Sequence, residues 1–163
     1  MRYKKAKFFW KKNNLSKIVS CLEYDDKIEY YSFIKTCYAK EYRQIIITSE
    51  LMIEIIKYFA INKNLLVYEI ELVEDDNELK EELELLIANT RKNGFFFQQL
   101  IEKLNFLAEQ SSIDIQRIYI KGRDTENNAV NFFIQSNGII GINNESFESI
   151  SNDVRKIIKE YLM

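Results

Sequence analysis

Apolar and polar side chains alternate near the start of the chain. Ala6, Phe8 and Trp10 fall on one side of an extended backbone, and Lys5, Lys7 and Lys11 on the other. This period of two predicts a strand that turns at Asn13 and Asn14. A second strand is expected over residues 17–24, a turn at 25–27, and a third strand over 28–34. Residues 35–43 fit a strand end and a short helix equally. The β-branched run Ile45, Ile46, Ile47 predicts a buried strand.

From Ser49 the period lengthens. Met52, Ile55, Ile56 and Phe59 recur on one helical face, with Ser49 placed to cap the helix and Asn62 to Asn64 to end it. Over residues 65–73 the period returns to two, setting Leu66, Tyr68, Ile70 and Leu72 against Glu69 and Glu71. Asp75 opens the next predicted helix, with Glu78 in the capping-box position. Its stripe is Leu79, Leu83, Leu86, Ile87 and Thr90, and Gly94 is the expected left-handed cap. Another helix follows to about Glu109, with Phe97, Leu100, Ile101, Leu104 and Leu107 in register. Phe95, Phe96 and Phe106 widen its apolar arc, so it should pack on more than one side.

Residues 113–121, 130–135 and 139–142 read as a three-strand meander. A phase slip between Ile115 and Ile118 predicts a bulge or a strand buried on both faces, and Asn137-Gly138 predicts a type I′ hairpin. The last helix carries Phe147, Ile150, Val154, Ile157, Ile158 and Tyr161. Strands and helices are more segregated than alternated, so the expected class is α+β. That fold has a mixed, mostly antiparallel sheet of N-terminal strands plus the C-terminal meander, packed with about four amphipathic helices. Residues 1–163 are read as one domain, the other division being lobes 1–74 and 75–163.

Composition narrows the chemistry. There is no histidine, which excludes Ser–His–Asp and Cys–His machinery and any imidazole ligand. Two cysteines fall short of a structural zinc site. Four glycines build neither a phosphate loop nor a dinucleotide fingerprint, and Gly138-Ile-Ile-Gly141 lies in a hairpin. No cofactor is expected. With proline absent, asparagine is expected to take the left-handed turn positions. The basic, aromatic start is unlike a secretory signal and no apolar run reaches membrane length, so a cytoplasmic location is expected, with no membrane contact. A register placing Cys21 opposite Tyr31 argues against a Cys21–Cys37 disulfide. The abundance of Ile, Asn and Lys, all AT-rich codons, points to a low-GC bacterium or its mobile element.

Charge is polarised. Residues 1–20 carry seven basic side chains and no acid, whereas residues 69–84 carry nine acids against Lys80 alone. The first expectation is therefore a non-catalytic binding protein of inhibitor, immunity, adaptor or anti-defence type. Its acidic helix face, Glu74, Asp75, Glu78, Glu81, Glu82 and Glu84, would meet a basic protein partner. On a helical wheel Glu81 and Glu84 point away from the core. The second expectation is a small nucleic-acid binder using Lys4, Lys5, Lys7, Trp10, Lys11 and Lys12 to track phosphates and stack bases. The plainer account of those residues is an edge strand guarded by lysines. The third is a metal-dependent enzyme holding a hard cation between Glu69 and Glu71, whose plainer account is a solvated sheet face.

Overall fold

In the computed structural model, which describes residues 2–162, β1 (Tyr3–Asn13) and β2 (Ser16–Tyr24) form a hairpin closed by Asn14 in the left-handed region. The other strands are β3 (Arg43–Gln44), β4 (Leu66–Leu72), β5 (Ile115–Arg123), β6 (Ala129–Gln135) and β7 (Ile139–Asn143). They make one antiparallel sheet in the order β2-β1-β7-β6-β5-β4, drawn from both halves of the chain. β7 pairs with Tyr3 to Lys7 of β1, and β3 pairs with Phe9 and Trp10. Between them the Phe8 N–H donates to the Gly138 carbonyl at 2.9 Å, so the ladder stays continuous.

Five helices complete an α+β fold: α1 (Tyr30–Ala39), α2 (Ser49–Lys63), α3 (Asn77–Thr90), α4 (Gly94–Glu109) and α5 (Phe147–Leu162). One sheet face presents Ala6, Phe8, Val19, Val67, Ile70, Ile118, Ile120, Phe132, Ile134, Ile140 and Ile142 to the core. On it α2 buries Leu51, Met52, Ile55, Ile56 and Phe59, with the Phe59 ring edge-on to Phe132 at 4.9 Å. The α5 stripe of Phe147, Ile150, Val154 and Ile158 packs over β2, β7 and α2. The α3 helix lies beside β4, and α4 packs on α2 and α3.

Among the described residues only α1 lies on the opposite face. Residues 30–34 form a helix where a strand was expected. Tyr30, Phe33 and Cys37 recur at helical spacing, and Phe33 meets Tyr24 at 5.0 Å and Phe9 at 5.9 Å. Tertiary aromatic contact outweighs the strand preference of these residues. β1 is consequently an interior strand, not an edge: Ala6, Lys7, Phe8 and Phe9 are all buried, and β2 is the edge.

Several local expectations shift by a residue. Thr48, not Ser49, caps α2 through the Leu51 N–H. Ser49 instead accepts from the Ile115 N–H at 3.0 Å. Asp76, not Asp75, caps α3 through Leu79 N–H, which removes Glu78 from the capping-box position. Gly94 opens α4 behind the Asn93 cap rather than closing α3. Residues 45–47 bury Ile45 and Ile47 but enter no ladder; Ile47 N–H donates to Ser136. In β4 an extra residue at Tyr68 breaks the alternation. Val67 and Ile70 enter the core, and Tyr68 joins the open face. The bulge foreseen in β5 falls at Gln116. The 135–138 turn has positive φ at Gly138 alone, so it is not type I′. Asn14, Asn64 and Asn127 do take left-handed positions.

Asn143 is the main buried polar tie. It accepts from Asn131 N–H at 3.0 Å and donates to the Ala129 carbonyl at 3.0 Å and to Ser146 Oγ at 3.2 Å, joining the start of β6 to the end of β7. Removing the amide orphans two backbone groups. Asn143→Ala should therefore cost about 2–4 kcal/mol in denaturant unfolding, and Ser146→Ala under about 1 kcal/mol.

Candidate functional site

Where β4 runs out, the chain crosses to α3 through Val73, Glu74, Asp75 and Asp76, and two hollows flank this crossing. The first, about 190 Å³, has Glu69, Glu71, Glu74, Asp75, Asp76 and Glu84 around its walls with Lys80 as its one cation. Leu72, Leu83 and Ile87 form apolar floor. The second is bordered by Glu74, Asp75, Asp76 and Glu78 together with Ser111 and Ser112. The expected acidic residues are thus sorted by position. Glu74 and Asp75 border both hollows, Glu84 only the first and Glu78 only the second. Glu84 is exposed, as the helical wheel places it, and also borders the first hollow because α3 packs beside β4. Glu81 is exposed outside both, and Glu82 is paired with Lys103 of α4 at 3.2 Å. That pairing relieves the acidic run across helices, where no Lys or Arg follows at i+4 along α3 itself.

The basic set at the N-terminus is divided. Lys4 pairs with Glu23 at 3.6 Å on one face of the sheet, and Lys5 with Asp26 at 3.1 Å on the other. Lys11 sits over Tyr42 at 5.0 Å, while Trp10 is covered by Lys17 at 4.8 Å. Lys12 remains exposed beside Trp10, Asn14, Glu41 and Arg43. Lys7 is withdrawn from any surface, because α1 closes over it.

Among the described residues Lys7 is the one acidic or basic side chain that is fully buried. Its ammonium donates to the Asn137 carbonyl and lies 5.7 Å from the Phe9 ring centroid and 5.9 Å from that of Tyr30. Burial lowers it from 10.5 to about 8, and the nearby Cys37 thiol works weakly in the other direction. Cys37 itself is raised by burial. Cys21 lies across the sheet from it, opposite Phe8, and burial pushes its thiol up to about 12. Both thiols are free; the sheet separates them, whereas the register expected from residues 24–31 does not form.

Glu69 and Glu71 share the open face of the sheet, as their spacing predicts, but they are not equivalent. Glu71 accepts from the Tyr119 hydroxyl at 3.1 Å and stands 3.8 Å from Arg117. Among the described residues no group of three or more Asp, Glu or Cys side chains gathers as a metal site would. Around this pair lies a surface that reading the strands singly misses. Tyr68, Tyr119 and Phe133 line up across β4, β5 and β6, with neighbouring centroids at 5.8 and 6.0 Å. The bulge at Tyr68 and the cross-strand register create this row, and neither follows from one strand's alternation. Among the described residues no helix is long and apolar enough to cross a membrane. Comparison with protein-family models, curated proteins and solved structures finds no match to the chain.

The Lys7 site yields a pH prediction. Between about pH 8 and 10.5 the unfolded chain keeps the proton and the folded chain releases it, so this group's contribution to stability rises with pH across that window. Below pH 8 the cost of burying the ammonium is fully present. Lys7→Met should therefore raise stability at pH 7 by up to about 3 kcal/mol, less the lost hydrogen bond to Asn137. The gain should vanish toward pH 10.5. Urea melts of variant and wild type, compared at each pH, isolate Lys7 from the opposing thiol of Cys21.

Proposed function

We propose that the protein is a non-catalytic recognition factor whose acidic β4–α3 groove receives a basic segment of a protein partner, in the manner of an inhibitor, immunity, adaptor or anti-defence protein. The observation that carries this reading is the pairing of carboxylate walls with an apolar floor. Glu74, Asp75 and Glu84 stand around Leu72, Leu83 and Ile87. A lysine or arginine side chain has the matching form, an aliphatic stem with a charged head. Exposed carboxylates at the rim would raise the association rate of such a partner more than its intrinsic affinity. The absence of histidine and the paired state of Glu71 favour recognition over chemistry. A cytoplasmic setting in a low-GC bacterium or its mobile element suits the free cysteines and the codon bias.

The test is charge reversal confined to the groove. With wild-type protein as bait in a pull-down from the native host, partners should be lost when Glu74→Lys, Asp75→Lys and Glu84→Lys are combined. Glu81→Lys, outside the groove, should retain them. For a captured partner, the triple variant should associate at least about 10-fold more slowly at low salt, with the difference narrowing as salt rises. A folded triple variant with unchanged partners and kinetics would falsify the reading. A Mg²⁺-dependent rise in melting temperature that Glu71→Gln abolishes would point to the enzyme alternative instead.

A further inference from the structure

The face of the sheet opposite the main core is covered only at its β1–β2 end, by α1. Across β4, β5 and β6 it is bare and carries Tyr68, Glu69, Glu71, Arg117, Tyr119, Lys121, Asn131, Phe133 and Gln135, with the aliphatic Leu66 opposite Lys121 at its basic end. It presents three half-buried rings, one per strand, with cations resting on them. Lys121 Nζ lies 4.5 Å from the Tyr68 centroid, and the Arg117 guanidinium 5.2 Å from Phe133 and 5.7 Å from Tyr119.

The basic end of this row opens into a second feature. A hollow of about 350 Å³ is lined by Arg91, Lys121 and Arg123 and by no acid. Among the described residues none of these three cations makes a salt bridge; Arg123 donates only to the Asn127 carbonyl, at 2.8 Å. Lys121 and Asn131 belong both to the hollow and to the aromatic face, and the Tyr68 hydroxyl donates to Asn131 Oδ1 at 3.3 Å. Three cations without a salt-bridge partner among the described residues therefore adjoin three ring platforms, while Glu69 stands opposite Tyr119 and Glu71 lies beyond the row, opposite Arg117.

We propose that this face binds a single-stranded polynucleotide, with bases stacked on Tyr68, Tyr119 and Phe133 and phosphates held by Arg91, Lys121 and Arg123. Every base has a π-face, so a row of rings on neighbouring strands takes successive bases with little regard to sequence. Glu69 and Glu71 repel phosphate and so direct the backbone along the Lys121 side. Lys121, now over the Tyr68 ring, moves onto a phosphate as a base takes its place. The site is separate from the acidic groove in its variants and in its ligand, so each proposal fails independently.

The test is fluorescence anisotropy of the full chain with labelled twelve-residue oligouridylate and oligothymidylate. Three phosphate contacts predict that affinity falls about 20-fold between 50 and 200 mM salt. Tyr68→Ala and Tyr119→Ala should each weaken binding about 5-fold or more. Combining Arg91→Ser, Lys121→Ser and Arg123→Ser should flatten the salt dependence, and the groove variant should bind as wild type does. Binding of either strand with this pattern supports the site, and the tighter of the two assigns the sugar. Circular dichroism and thermal melts establish that each variant is folded, with Tyr119→Leu as a milder second variant. Failure to bind either strand at 50 mM salt overturns the proposal. So does binding that Tyr119→Ala and Tyr119→Leu leave unchanged, or that inorganic polyphosphate displaces at the same concentration from wild type and ring variants. Self-association through this face, seen by light scattering and lost in Tyr119→Ala, would assign it to a second copy of the chain.

Discussion

The ladder between β1 and β7 holds the rest of the structure in place. Lys5 faces Gly141, Ala6 faces Ile140 and Lys7 faces Ile139, so the first strand of the chain lies beside the last. Without that pairing the N-terminal hairpin and the C-terminal meander would be two small sheets with poor cores. With it, β1 becomes interior and loses solvent on both faces. Its core side accepts Ala6 and Phe8 readily. Its other side brings Lys7 and Phe9, and α1 closes over them through Tyr30, Phe33 and Cys37. A buried ammonium with a carbonyl and two ring faces but no carboxylate partner is a net cost, tolerated because the ladder fixes the strand's register.

The same closure explains why the open face is uneven. One short helix covers the β1–β2 end, leaving β4 to β6 to solvent. Gly141 sharpens this division. A Cβ there would collide with Phe133, so the glycine gives that ring room to lie flat over β7. Aromatic cover of a cross-strand glycine is a known stabilising device, and here it also fixes the orientation of a ring at the end of the exposed row. Tyr119 is held in a different way, receiving a hydrogen bond from Arg117 while its hydroxyl donates to Glu71. The rings are therefore positioned before any ligand arrives, which lowers the entropic cost of binding.

Elements whose period is set by their own core contacts were readable from sequence. The α2, α3, α4 and α5 stripes fall where helical spacing puts them, and the meander, the first hairpin and the β5 bulge follow from alternation and its slips. What escaped was decided by partners distant in the chain. Residues 28–34 alternate well enough for a strand, yet Phe9 and Tyr24 select the helix. The widened arc of α4 suggested packing on several sides, but Phe95 and Phe106 remain more than half exposed. Of the candidate site residues, the acidic run was visible as a charge block. Its division into groove walls, an outward Glu81 and a Glu82 neutralised by Lys103 needed the α3–α4 contact. Lys7 could not be separated from Lys5 and Lys11 by spacing, since all three share a face; only the position of α1 distinguishes them.

The two poles of the molecule are joined by a single element. At the N-terminal end of α3 lie Glu74, Asp75, Asp76 and Glu78; just past its C-terminal end, Arg91 lines the basic hollow. The helix dipole favours both placements, carboxylates at its positive end and a guanidinium at its negative end. Fourteen residues of helix separate the poles by about 20 Å, at 1.5 Å per residue. At physiological ionic strength the screening length is about 8 Å, so the field of either pole has largely decayed at the other. Acidic and basic surfaces of comparable strength can therefore coexist on one small chain without cancelling, each presenting its own sign to an approaching ligand. At about 10 mM salt the screening length grows to about 30 Å, beyond the length of α3. There the poles couple, and a ligand that neutralises one end strengthens the attraction that the other exerts on the opposite charge. The net charge of −2 conceals this arrangement, because it counts both poles and locates neither.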